Sequence, residues 1–172
     1  MARQRLSPET WITAGFEALA AAGPAALAAE PLARALKTTK GSFYWHFKDV
    51  PAFQDAVLIA WHARALKQVI DAVQETGDAE TRLRNFGRSI LDDSMEPKLR
   101  IWAQNDTRVA AALAEVDGER LQYLGRLLRK MGLGNQNFAR ALQATLTGLP
   151  LMGDHTDKAP FETLVDTILA LE

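Results

Sequence analysis

The chain of 172 residues has room for one compact domain, or for a small domain fused to a larger helical body, with 48% apolar residues, 24% charged residues and a net charge of −1. That balance excludes a disordered chain, and long alanine and leucine runs without a strand-rich stretch predict an all-α globular protein. The lack of cysteine excludes disulfide frameworks, thiolate metal sites and a cysteine nucleophile. No apolar run approaches the length of about 18 residues that spans a bilayer, so a cytoplasmic protein with no membrane partner is expected.

Charge is divided unevenly along the chain. Residues 1–48 hold six Lys or Arg against three Glu, and residues 49–172 hold fourteen against eighteen acidic groups. Arg34 to Lys48 contains four basic and no acidic residues, a local positive field that also fits a solvated helix face.

The first predicted helix opens at Ser7-Pro8-Glu9, which supplies an N-cap, a proline at the first helical position and an acid in the first turn. Trp11, Ile12, Phe16 and Leu19 recur at helical spacing, and Gly23-Pro24 ends the helix. A short second helix covers Ala28 to Leu36, with Leu32, Ala33 and Leu36 inward and Pro31 confined to the first turn. The third runs from Thr39, whose hydroxyl caps it, to Phe47. Three short helices with a brief break between the second and third fit a helix-turn-helix over about residues 28–47.

Within the third helix Phe43 and Phe47 stand four apart and share an inward face. Thr39, Lys40, Gly41, Ser42, Tyr44, Trp45, His46 and the following Lys48 are then left outside, with short residues near the start, where a backbone can approach a groove. Free N–H groups at the helix start suit phosphate, and the mixed donors suit base edges.

The stretch LARALKTTKGSFYWHFKD resembles the signature of the TetR family of transcriptional regulators, from Lys40-Gly41-Ser42-Phe43-Tyr44-Trp45-His46-Phe47 to the upstream Leu32-Ala33. The resemblance spans about residues 7–62. It implies that Thr39, Lys40, Ser42, Tyr44, Trp45 and His46 face double-stranded operator DNA, with Lys40, Tyr44 and His46 mainly on phosphates. It also implies a homodimer, released from a palindromic operator by a small-molecule effector. Four positions depart from the family pattern: Lys37 for the usual turn glycine, Thr38 for a buried aliphatic, Ala28 for a Ser or Thr cap, and Val50 for a basic phosphate contact. They motivate a second reading, a helical dimeric interaction or ligand-binding protein with weakened DNA binding.

A long fourth helix from Asp49 to about Val73 is predicted to join this reader, residues 1–50, to a helical body, residues 51–172, which the resemblance implies binds effector and dimerises. Further helices are predicted over residues 80–94, from Glu96, over 107–130, around Phe138 to Leu149, and around Phe161 to Leu169, about nine in all. In the seventh, the apolar spacing skips a step near Gly118 and Arg120. The small residues of the eighth let another helix come close. By the family's layout Leu142, Thr145, Leu146, Leu149, Leu164 and Ile168 form the dimer interface, where a last pair of apolar helices also fits internal core, and Trp61, Phe86, Trp102 and Tyr123 line the effector pocket, although such aromatics are more often plain core.

Other polar residues suggest little chemistry. His62 and His155 are too far apart and too poorly accompanied for a metal site, Asp92-Asp93 reads as a solvated helix end, and Asp117 with Arg120 as a polar pair at the surface or in the pocket. No nucleophile-base set, phosphate loop or metal spacing appears, so neither a cofactor nor an enzyme is expected.

Overall fold

The computed structural model describes residues 6–153 and 157–171. Among them are nine α-helices and no strand: α1 Pro8–Ala22, α2 Ala29–Ala35, α3 Lys40–His46, α4 Val50–Gln74, α5 Ala79–Leu91, α6 Glu96–Ala103, α7 Thr107–Lys130, α8 Gln136–Gly148 and α9 Ala159–Leu169. The all-α architecture follows from local chemistry at most helix starts. Ser7, Thr39, Asp49, Asp78, Asp106 and Asn135 each accept a backbone N–H of the first turn through the side chain. Ala28 heads α2 without such a bond, as its missing side-chain acceptor requires. The fifth helix is shorter than its predicted span: it stops at Leu91, and Asp93 turns the chain by accepting the Met95 N–H through its carboxylate.

Two hydrophobic clusters form the core. The first unites Trp11 and Leu19 of α1, Phe43 of α3, the N-terminal half of α4, Leu99 of α6 and Val109 to Val116 of α7. The second joins Val69 and Ala72 of α4 to α5, the C-terminal half of α7, α8 and α9. Two glycines set the closest approaches. A Cβ on Gly15 would lie 2.8 Å from the Phe53 ring, and one on Gly87 would lie 2.1 Å from the Phe161 ring, so α1 seats on α4 and α9 on α5 only because both positions lack a side chain.

Between the clusters lies a layer of polar side chains. Arg120 on α7, 1% exposed, donates to both oxygens of Glu96 on α6, at 2.7 and 2.8 Å. Arg100 bridges Glu96 and Asp117, while Gln143 of α8 donates to Asp117 and Gln68 of α4 accepts from Arg120. Desolvation pulls the Arg100 guanidinium pKa down, but hydrogen bonds to Asp117 and the charge of Glu96 more than offset it and drive it up. The skipped apolar step of α7 is thereby explained: Arg120 occupies an inward position between Val116 and Tyr123, carrying charge where the pattern calls for an aliphatic residue. Asp117 lies 4.0 Å from Arg120, whose principal partner is Glu96. The polar pair expected from their spacing is present, and it belongs to a wider network in which Arg120 is buried and Asp117 partly exposed.

Candidate nucleic-acid interface

The helix-turn-helix is built by α2, the turn Leu36 to Thr39, and α3. The turn closes by a pair of backbone bonds typical of helix ends: Thr38 N–H donates to Ala33 C=O at 2.9 Å and Lys37 N–H to Arg34 C=O at 3.1 Å. This geometry needs a left-handed residue at position 37, and Lys37 adopts it with φ of 51°. The turn expected of a glycine is made by lysine, at a cost of roughly 1 to 2 kcal/mol. Thr39 then starts α3 by accepting the Ser42 N–H at 3.3 Å.

The faces of α3 are fixed by an aromatic cluster. Phe43 is fully buried, with its ring centroid 5.4 Å from Trp11 of α1 and 5.2 Å from Phe53 of α4. Phe47 meets Phe53 at 4.9 Å. These contacts lock the rotation of α3 and turn the rest of it outward: Thr39, Lys40, Gly41 and Lys48 are exposed, Ser42 and His46 half-exposed, Tyr44 46% exposed and Trp45 70% exposed. All eight residues predicted to face DNA therefore reach solvent. A Cβ at Gly41 would have only the Thr39 hydroxyl within 4 Å, at 3.8 Å, so the helix surface is open there. Arg34 is partly neutralised by Glu30 at 3.2 Å, an exposed pair. Lys37, Lys40 and Lys48 supply the remaining positive charge of the segment.

The four aromatic residues expected to line an effector pocket do not converge. Trp61 is fully buried in the first cluster and Trp102 packs against that same cluster half-buried, whereas Phe86 and Tyr123 belong to the second. Phe86 and Tyr123 meet edge to face at 4.8 Å, and the Tyr123 hydroxyl donates to the Ala72 carbonyl at 2.6 Å, which makes Tyr123 a core residue. Only Phe86 of the four borders a groove of about 1070 Å³ that runs between α4 and α5 to the C-terminal half of α1. Its other lining residues, among them Phe16, Arg64 and Glu75, were missed in the sequence because they come from elements far apart in the chain.

The predicted dimer residues divide in two. Leu142, Leu146 and Ile168 face inward and fill the protomer's own second cluster, while Thr145, Leu149 and Leu164 are partly exposed. The open side of α8 and α9 carries instead Ala141, Ala144, Thr163 and Thr167. The lone polar residues are also placed. His62 lies 3.0 Å from Glu115 at the surface. Asp93 is not a solvated end residue, because its carboxylate is largely covered and takes Arg64 at 2.8 Å. His155 lies outside the described residues.

No protein-family profile matches the chain, and no curated protein does. Among solved structures, one from Mesorhizobium loti MAFF303099, provisionally assigned as a TetR-family transcriptional regulator, superposes with a TM-score of 0.68 at 16% identity, over 95% of this chain and 93% of the other. The chain therefore shares the fold of that structure along nearly its whole length, beyond residues 7–62 on which the sequence resemblance rests. Among the described residues no helix is long and apolar enough to cross a membrane.

Proposed function

We propose that the protein is a cytoplasmic, TetR-like transcriptional regulator, not an enzyme: residues 1–50 read operator DNA, and residues 51–172 dimerise and respond to a small molecule. The observation that carries the reading is the two-faced third helix. Phe43 and Phe47 anchor one side, and the other offers Lys40, Ser42, Tyr44, Trp45 and His46 to a partner. A short, capped helix with that outward chemistry has the form of a major-groove reader, with Lys40, Tyr44 and His46 on phosphates and the first turn on base edges.

Two readers are needed for a palindromic site, and the outer sides of α8 and α9 are where a second copy docks, through Thr145, Leu149, Leu164 and the small residues around them. Repression ends when an effector changes the reader spacing. The long α4 is the element that carries such a change, since its N-terminal half packs with the reader and its C-terminal half with the second cluster. The spacing of two major-groove readers must match about one DNA turn, roughly 34 to 36 Å, or a multiple of it, so a shift of a few ångströms prevents simultaneous docking.

The experiment is fluorescence anisotropy of the full chain on labelled duplex DNA from upstream of its own gene, against unrelated duplex of equal length. A specific complex with a steep salt dependence is expected. Equal affinity for both duplexes, or none, would replace this reading with that of a helical binding protein lacking a DNA partner.

A further inference from the structure

We propose that the groove between α4 and α5 binds an organic cation with an apolar body. The groove lies over the seam where the two hydrophobic clusters meet. Its floor is apolar: Ala65 and Met95 from the first cluster, Ala72 and Phe86 from the second. Its rim is acidic. Glu17, Asp71, Glu75, Asp92 and Asp93 line it against only two cations, Arg64 and Lys67, a net of −3.

Both cations are already matched, Arg64 to Asp93 at 2.8 Å and Lys67 to Asp71 at 2.6 Å. The surplus negative charge therefore belongs to Glu17, Glu75 and Asp92. Glu75 accepts from Asn85 and Asp92 takes Lys158 from outside the groove, so Asp92 retains only part of its pull and Glu75 keeps its full charge. An apolar floor of about this size beneath such a rim favours a molecule that is flat or bulky, hydrophobic and positive, and disfavours its anionic counterpart.

The end of the groove nearest the reader already shows the chemistry. The Arg64 guanidinium stands 5.1 Å from the centroid of the Phe16 ring on α1, a cation held over an aromatic face. With its salt bridge to Asp93, Arg64 ties α1 to the turn after α5. A ligand cation that takes up Asp93 competes with that tie and loosens the reader on the body. This consequence for DNA rests on the function proposed above, whereas the binding site does not.

The test is titration calorimetry of the full chain, without DNA, against tetraphenylphosphonium and tetraphenylborate, ions of matched shape and opposite charge. Saturable binding of the cation at one site per chain, at least tenfold tighter than the anion, is expected. Because these carboxylates are solvated, each of Glu17→Gln and Glu75→Gln weakens the cation about threefold, Asp92→Asn by less because Lys158 already takes part of its charge, and the triple variant on the order of tenfold, with the preference shrinking as salt is raised. All three lie at the surface or half-exposed, so unchanged circular dichroism confirms that the variants fold. No saturable cation binding, equal affinity for the two ions, or wild-type affinity in a folded triple variant would each overturn the proposal. A chain that binds the cation but no DNA would leave this site standing and remove the regulator reading instead.

Discussion

Replacing Arg120 by methionine removes the charge that Glu96 was buried to meet. The Glu96 side chain is 5% exposed and that of Arg120 1%, and the two share hydrogen bonds of 2.7 and 2.8 Å. Breaking such a pair from one side costs about 3 to 5 kcal/mol, because the remaining charge stays desolvated. Here the loss falls at the lower end, about 3 kcal/mol, since Arg100 still donates to Glu96 at 2.6 Å. The double variant Glu96→Leu, Arg120→Met removes both charges and replaces them with apolar volume, and Arg100 keeps its two bonds to Asp117. It is expected to recover most of the loss, to within about 1 kcal/mol of the wild type. Urea denaturation followed by circular dichroism measures both, with stability changes read from midpoints at constant slope. If Arg120→Met unfolds within 1 kcal/mol of the wild type, or the double variant is less stable than the single, the layer between the clusters is not the buried charge network argued for above.

Other expectations concern the helix-turn-helix, the pair α8 and α9, and the ion cluster between α5 and α9. Lys37→Gly relieves the left-handed lysine, and after subtracting the greater freedom of glycine in the unfolded chain it should stabilise by about 0.5 kcal/mol in the same denaturation assay. Phe43→Ala should destabilise by about 3 kcal/mol as a core deletion, whereas Tyr44→Ala should leave stability nearly intact and weaken DNA in the anisotropy assay; the reverse pattern would invert the faces of α3. Leu142→Arg should unfold the protomer because Leu142 is fully buried inside it, while Ala144→Arg, on the open side of α8, should give folded monomers by light scattering. Burial raises the Glu162 carboxyl, but hydrogen bonds from Arg88 and Arg84 outweigh it and hold the pKa below the usual 4.5. A depressed carboxylate stabilises the fold above its unfolded pKa, and that stabilisation is lost as pH falls through the folded value. Glu162→Gln should therefore flatten the fall of stability below about pH 4.5, and an unchanged acid limb would show that α9 does not depend on this ion cluster.

Much of this molecule was written in short-range chemistry. The caps at Ser7 and Thr39, the stop at Gly23-Pro24 and the four-residue spacing of Phe43 and Phe47 depend on neighbours within a turn or two. The helices and the outward face of α3 were legible from sequence for that reason, whereas Lys37 at a glycine position left open either a left-handed lysine or a different turn, and the structure contains the left-handed lysine. Periodicity marks which side of a helix is apolar but not what will cover it. Leu142 and Leu146 were as well suited to a second copy as to the protomer's own core, and only the packing of α8 on α5, α7 and α9 decided for the core. Likewise an aromatic residue satisfies a core or a pocket equally, so Trp61 and Tyr123 became core while Phe86 came to border a groove with Phe16 and Arg64, residues brought together from three helices. Arg120 shows the limit most sharply. Its position in the apolar phase of α7 was visible as a break in the pattern, but its burial became tolerable only when α6 delivered Glu96 across the gap, because the desolvation of one charge is offset by a partner that sequence spacing alone does not place.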